Sequence, residues 1–216
     1  MQILAIGQVE DRTNIDEQIL KQTIQPTRTI LHVDDNPAIG INKRRERIAE
    51  NHQFLRTIVK AYKPDLVWQV EGDAVLPEDT LERLINHYLQ NPDMGFVSGV
   101  QVGRHGLYCL GAWKFHDQDN FESIDYNLKG LQEVDATGFY CMLAPAKVWL
   151  AGNCQWTGEV YGPDVVFSLS IGKKKYVDMD LHIGHKVKNG IINVSDMSTC
   201  NAKFFIEDGR WKYKQL

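Results

Sequence analysis

The sequence predicts an α/β fold, a doubly wound and mostly parallel sheet with helices on both faces. Three observations carry it. Short apolar runs and helical patterns alternate through residues 1–102. The apolar runs are continuous rather than alternating, as in strands covered on both faces. The composition is that of a globular chain, 43% hydrophobic and 24% charged over 216 residues. That length buries a core without disulfide or metal staples.

The elements follow in order. Ile3 to Gly7 is a short buried strand. Ile15 to Gln25 reads as a helix that Pro26 ends. Arg28 to Val33 is a second strand running into the turn Asp34-Asp35-Asn36-Pro37. Ile48, Leu55, Ile58, Val59 and Tyr62 mark one face of a long helix starting near Asn42. Leu66 to Val70 is a third strand. Pro77 opens a helix carrying Leu81, Leu84, Ile85, Tyr88 and Leu89 at helical spacing. Asn91-Pro92-Asp93 stops it, and Phe96 to Val102 is a fourth strand.

The second half changes character. Residues 107–121 are rich in Gly and aromatics without helical period, which predicts strands or an irregular insert. Ala136 to Ala144 reads as extended, and Pro145 to Trp149 as a short helix. Gly162-Pro163-Asp164 opens a helix to about Ile171, and Lys175 to Ile183 is expected as a final strand. After His185 the tail gives few signals, and its Phe204, Phe205, Trp211 and Tyr213 read as packing on the core. No linker, repeat or low-complexity tract interrupts the chain. The expectation is a single domain, with a binding half over 1–102, an acceptor half over 103–185 and a tail over 186–216.

Composition bounds the function. The net charge of −4 argues against broad electrostatic binding to nucleic acid or anionic membrane. Two local basic runs stand out, Lys43-Arg44-Arg45 and Lys173-Lys174-Lys175. Each reads either as a solvated face or as an anion patch. Cys109, Cys141, Cys154 and Cys200 form no CxxC pair and read as reduced thiols rather than a zinc site or disulfide framework. No leader and no membrane-spanning run is read in the chain, so a cytoplasmic protein is expected. There is no GxGxxG after the first strand, no GxxxxGK[ST] and no GxSxG. Nicotinamide dehydrogenases, P-loop enzymes and α/β-hydrolases are therefore poor fits.

Four constellations bear chemistry. Glu71-Gly72-Asp73 follows an apolar strand, and ligands of open α/β sheets sit beyond the carboxyl ends of the strands. On an extended chain its two carboxylates would point the same way, and Gly72 would let a bulky group approach the backbone. Paired carboxylates suit Mg²⁺ or Mn²⁺ with phosphate oxygens completing the shell. The same tripeptide also reads as a polar turn. Asp34 and Asp35 end the second strand, where an acid accepts from a ribose hydroxyl or base N–H, or simply caps a turn. Asp164 is placed either as a first-turn acid favoured by the helix dipole or as a general base. His185, with His182 nearby, gains meaning beside the acids, since imidazole completes a Mn²⁺ shell.

In their order these pieces resemble the nucleotide-sugar glycosyltransferases of the A-type (GT-A) fold, particularly the large family-two-like group. The matching segments are the first strand, Thr29 to Asp35, Leu66 to Pro77, Ala136 to Leu143, Gly162-Pro163-Asp164 and Asp178 to His185. The resemblance implies a Rossmann-like sheet with a less regular C-terminal acceptor half. It places Glu71 and Asp73 in a DxD-type motif, with Asp73 the direct metal ligand. Asp35, with Asp34, would hold the nucleotide, and His185 would complete the metal or diphosphate site. Asp164 would be the base of an inverting enzyme, and Gly138 would line the acceptor side. The implied partners are a UDP- or GDP-sugar donor, Mn²⁺ or Mg²⁺, and an unidentified acceptor. Two departures stand out: Glu71 replaces the usual first Asp, and Pro163 stands where a second acid is common. The QxxRW motif of processive synthases is absent. A sugar-phosphate nucleotidyltransferase, and a non-catalytic nucleotide- or carbohydrate-binding module, are the alternatives.

Overall fold

The computed structural model describes residues 1–9, 12–34, 41–103, 109–117, 119–156, 158, 161–187, 190–196, 202–207 and 210–215. The first half runs β1 (Ile3–Val9), α1 (Arg12–Leu20), β2 (Arg28–Val33), α2 (Ile41–Tyr62), β3 (Leu66–Glu71), β4 (Ala74–Val75), α3 (Thr80–Gln90) and β5 (Phe96–Gln101). Then come β6 (Ala112–Phe115), β7 (Asn120–Ser123), β8 (Leu131–Val134), β9 (Ala136–Thr137), β10 (Cys141–Pro145), α4 (Ala146–Ala151) and α5 (Pro163–Ser170). The chain closes with β11 (Lys175–Val187), β12 (Gly190–Ile192), β13 (Ala202–Glu207) and β14 (Arg210–Gln215).

The main sheet has the order β12-β11-β5-β10-β3-β1-β2, with β4 and β8 also paired to β11. β1 pairs in parallel with β2 and β3, and β11 with β5. β10 is antiparallel to both its neighbours. Most strands of the sheet thus run parallel, but the central strand β10 and the edge strand β12 run against their neighbours. The mixture was not readable from apolar runs, because a buried strand looks the same in either direction.

Helices cover both faces, as expected. α1 and α3 bury Ile15, Ile19, Leu81, Leu84 and Ile85 against Ala5, Trp68 and Val70. On the other face α2, α4 and α5 bury Leu55, Val59, Trp149 and Phe167 against Leu4, Ile6 and Val67. Among the described residues, no helix is long and apolar enough to cross a membrane.

Several element boundaries depart from expectation, and tertiary hydrogen bonding accounts for three of them. α1 ends at Leu20 rather than Gln25, because the Thr23 N–H is drawn to the Glu78 carbonyl at 2.8 Å. α3 starts at Thr80 rather than Pro77. The Gln22 side chain donates to the Pro77 carbonyl and accepts from the Leu81 N–H, while Thr80 Oγ1 also bonds Pro77. β11 runs on to Val187 and is not the final strand. β12 returns along it, and β13 and β14 extend a second sheet of order β14-β13-β7-β6-β9. In that sheet Phe204 stacks on Phe121 at 5.0 Å, and Phe121 on Phe115 at 4.7 Å. Phe204 thus packs, but within this second sheet rather than on the main core, Tyr213 is 54% exposed against expectation, and the Trp211 side chain lies outside the described residues. Cys109, Cys141 and Cys154 are buried, and burial pushes the Cys141 thiol up to about 12. Cys200 lies outside the described residues.

α3 is fastened to β11 by a buried ionic cluster. Asp178, 1% exposed, accepts from Arg83 at 2.8 Å, His87 at 2.9 Å and the Asp180 N–H at 2.9 Å. Burial alone would raise this carboxyl. The His87, Asp180 and Arg83 contacts more than offset that and hold it below its ordinary value. A depressed folded value contributes stability that is present above about pH 4 and lost as pH falls through the folded value. Asp178→Asn is expected to cost about 1–3 kcal/mol in urea unfolding at pH 7, because it removes the charged acceptor that Arg83 and His87 share. A loss below about 1 kcal/mol would show that the cluster contributes little.

Candidate functional site

Asp34 and Glu71 stand at the carboxyl ends of β2 and β3, where the parallel strands release their loops. β1 and β3 are in register to their ends, Gln8 opposite Glu71, and the Gly72 N–H bonds the Gln8 carbonyl at 3.1 Å. The backbone at Gly72 lies tight on β1, and a Cβ there would sit 2.9 Å from Val9 Cα. Glycine is required by that approach.

After Glu71 the chain turns through Gly72 and Asp73 before β4 begins. The extended geometry that would aim Glu71 and Asp73 alike is therefore not adopted. β4 instead pairs antiparallel with β11, Ala74 opposite His185 and Val75 opposite Gly184. The Lys186 N–H also bonds the Asp73 carbonyl at 2.7 Å. This pairing sets Asp73 Oδ2 3.5 Å from His185 Nε2, across more than a hundred residues of chain. Two of the three expected metal ligands, Asp73 and His185, are thus neighbours. Glu71 does not join them: among the described residues, no three His, Cys, Asp or Glu side chains gather as a metal site.

His185 is 6% exposed, and its Nδ1 lies 2.7 Å from the Val102 carbonyl. A carbonyl only accepts, so Nδ1 carries the hydrogen. Nε2 then faces the Asp73 carboxylate, a nitrogen and an oxygen that a shared proton or a shared cation would join. The donor chemistry, one carboxylate oxygen and one imidazole nitrogen, suits Mn²⁺ or Zn²⁺ more than Mg²⁺. His182 is occupied elsewhere, with Nε2 3.0 Å from the Met179 carbonyl.

Asp34 ends β2 as expected, but its Oδ2 is committed within the protein. Arg47 Nε donates to it at 2.6 Å, Asn51 Nδ2 at 2.8 Å and Gln8 Nε2 at 3.2 Å. Asn51 Oδ1 in turn accepts from His32 at 3.1 Å. The network joins β1, β2 and α2 beneath the mouth. Arg47 and Asn51 are four residues apart, one face of a helix. That spacing was present in the sequence, but nothing there aimed it at Asp34. Asp35 lies outside the described residues.

Asp164 and Gly138 are brought together. A Cβ on Gly138 would lie 3.6 Å from Asp164 Oδ2 and only 2.8 Å from Tyr140 Cδ1. Asp164 stands in the first turn of α5, behind Pro163. Burial raises its carboxyl above the ordinary value. The N–H groups of Val165 and of its own residue offset part of that rise, as do the charges of Arg45 and Arg44. Arg45 is itself partly buried, with its guanidinium 5.7 Å from the Trp156 ring centre. Trp156 is anchored by its indole N–H on the Tyr161 carbonyl at 3.0 Å. The run Lys43-Arg44-Arg45 is therefore more than a solvated face, since two of its charges act on Asp164.

No family model matches the chain, and no curated protein matches it. Among solved structures it is similar to A197 from STIV, with a TM-score of 0.58 and 14% sequence identity. The match covers 100% of this chain and 99% of that one. At that identity the similarity is one of fold.

Proposed function

We propose that this chain is a metal-dependent glycosyltransferase that moves a sugar from a nucleoside-diphosphate sugar to an acceptor hydroxyl. In this reading the α/β fold is of the GT-A type, and the enzyme is non-processive, inverting and cytoplasmic. The observation that carries the reading is the meeting of Asp73 and His185 at the mouth of the parallel strands, with Asp164 and Gly138 together as a second group.

Asp73 and His185 would hold Mn²⁺, with Mg²⁺ the poorer fit to an imidazole nitrogen. When bound, the cation supplies Lewis-acid stabilisation of the charge developing on the departing diphosphate. Glu71, at the end of β3 beside Gln8, would face the donor rather than ligate. Asp34 would act by fixing Arg47 and Asn51 at the nucleotide end of the mouth, leaving the direct contact to Asp35. Asp164 would accept the proton of the acceptor hydroxyl as that oxygen attacks the anomeric carbon. Its raised affinity for a proton makes it a stronger base than an exposed carboxylate. Gly138, packed against the Tyr140 ring, would set the acceptor-side backbone close to Asp164.

The test is a transfer assay with UDP- and GDP-sugars, Mn²⁺ and an acceptor panel. Asp164→Asn is expected to lower transfer on the order of 10²–10⁴-fold while calorimetric donor binding persists. In the wild type, kcat/KM should rise with pH through a value above the ordinary carboxylate range, because only the ionised base accepts a proton. Removing a positive neighbour disfavours the ionised form, so Arg45→Gln should move that limb to higher pH. Transfer unchanged in Asp164→Asn would remove the base assignment. Donor binding without turnover across the panel would favour a binding module.

A further inference from the structure

The backbones behind Asp73–His185 and behind Asp164–Gly138 meet at the end of one strand. β5 closes with Gln101, which is 4% exposed. Its side-chain amide donates to the Gly184 carbonyl at 3.1 Å. The carbonyl of the next residue, Val102, lies 2.7 Å from His185 Nδ1. Two successive residues of one segment thus hold two successive residues of β11. On its other side the Gln101 carbonyl accepts from the Gly111 N–H at 2.8 Å. The Gly111 carbonyl accepts in turn from the Gly138 N–H at 3.1 Å and the Tyr140 hydroxyl at 3.2 Å.

This stretch of β11 has little else to fix its register. While β5 advances by one residue, Gly99 to Val100, β11 advances by four, Asp178 to His182. Such an irregularity re-aims the strand beyond it. The ladder that resumes has two register pairs before His185, His182 with Val100 and Ile183 with Gln101. β4 and β12, which also pair here, are two and three residues long. A slip of one residue turns a side chain to the opposite face, and would carry His185 away from Asp73. The Gln101 amide grips the carbonyl directly before His185, after the irregularity and where β4 joins.

We infer that Gln101 is a positioning residue for the metal pair. Its amide fixes the backbone from which His185 projects, and the Val102 carbonyl fixes the ring. Its own carbonyl ties the same point to the segment that carries Gly138. The inference rests on the reading of Asp73 and His185 as metal ligands and adds a residue that touches neither metal nor substrate.

The experiment measures Mn²⁺ affinity of the full chain from the free-ion signal in electron paramagnetic resonance. Pulsed measurements on the bound ion read its coupling to the imidazole nitrogen. Gln101→Met keeps the bulk of the side chain and removes the amide. It is expected to weaken Mn²⁺ about tenfold and to diminish the nitrogen coupling. Thermal unfolding checks that it remains folded. Gln101→Asn, shorter in reach by about 1.5 Å, replaces it if it does not and carries the same expectation. Gln22→Met is the control. Gln22 is equally buried, and its amide joins the Pro77 carbonyl and the Leu81 N–H instead. Its loss should lower thermal stability and leave Mn²⁺ affinity within about twofold of wild type. Affinity and coupling unchanged in the Gln101 variant overturn the inference, while the wild-type coupling keeps the metal assignment. Equal weakening by Gln22→Met also overturns it, because general loosening then suffices. A wild type that binds no Mn²⁺ overturns the metal assignment and the inference together.

Discussion

Asp73→Ala is expected to abolish Mn²⁺-stimulated donor hydrolysis and transfer, a loss on the order of 10²–10³-fold or more. It should also lower the affinity for Mn²⁺ itself, read from the free-ion signal in electron paramagnetic resonance. The reason is local. Asp73 brings the carboxylate oxygen 3.5 Å from His185 Nε2, and its removal leaves one nitrogen where two donors stood. His185→Ala should weaken Mn²⁺ in the same direction, and Glu71→Gln should weaken it least, because Glu71 stands outside the pair. Mn²⁺ affinity equal to wild type in Asp73→Ala would sink the metal assignment without touching the fold. A variant that keeps Mn²⁺ affinity but loses turnover would transfer the role of Asp73 from metal to donor.

His52→Leu is expected to remove most of the acid sensitivity of the fold. His52 points from α2 into the core and is 2% exposed. Its ring lies 4.4 Å from Trp149 and 5.1 Å from both Phe139 and Phe167. Neither ring nitrogen has a hydrogen-bond partner among the described residues. Burial, with the Arg56 charge adding to it, lowers the ring to about 3. Unfolded, it titrates near 6.5. Between those values the unfolded chain binds the extra proton, so stability is complete above about pH 6.5 and drains away as pH falls toward about 3. The full loss is on the order of 4–5 kcal/mol. Unfolding free energies from urea titrations at pH 7.5 and 4.5 should differ by about 2–3 kcal/mol more in wild type than in His52→Leu. Taking the difference between the two proteins cancels the acid effects of Asp164 and Asp178, which both chains share. Parallel pH dependence in the two proteins would show that His52 is protonated in the folded state.

His52 also illustrates where sequence reading stops. His52 stands four residues after Ile48 and three before Leu55, on the apolar stripe that marks α2, so its inward face follows from helical spacing while the rings it meets do not. It is buried because α4 and α5 bring Trp149 and Phe167 down on that side of the helix. Those partners lie about a hundred residues further along the chain. Asp34 is a similar case. Its position at the end of β2 was readable, but its commitment to Arg47, Asn51 and Gln8 depends on how α2 crosses the sheet. Glu71 and Asp73 fail differently. The pairing of their side chains assumed an extended backbone, and the turn at Gly72 follows from the contact of that glycine with Val9.

The sequence by itself determined the layered α/β plan and the strands Arg28–Val33 and Leu66–Glu71 to within a residue. It also determined the places where the acids leave the sheet. These follow from local periodicity and from Pro, Gly and Asn at the breaks, which act over a few residues. The tertiary structure alone decided that β10 runs against its neighbours and that β4 returns to β11. It also decided that Asp73 meets His185 while Glu71 does not, and that two arginines of a surface-like run tune Asp164. Each of these rests on pairing or packing between segments far apart in the chain. Register and direction there are set by the whole core rather than by any residue pattern within one element.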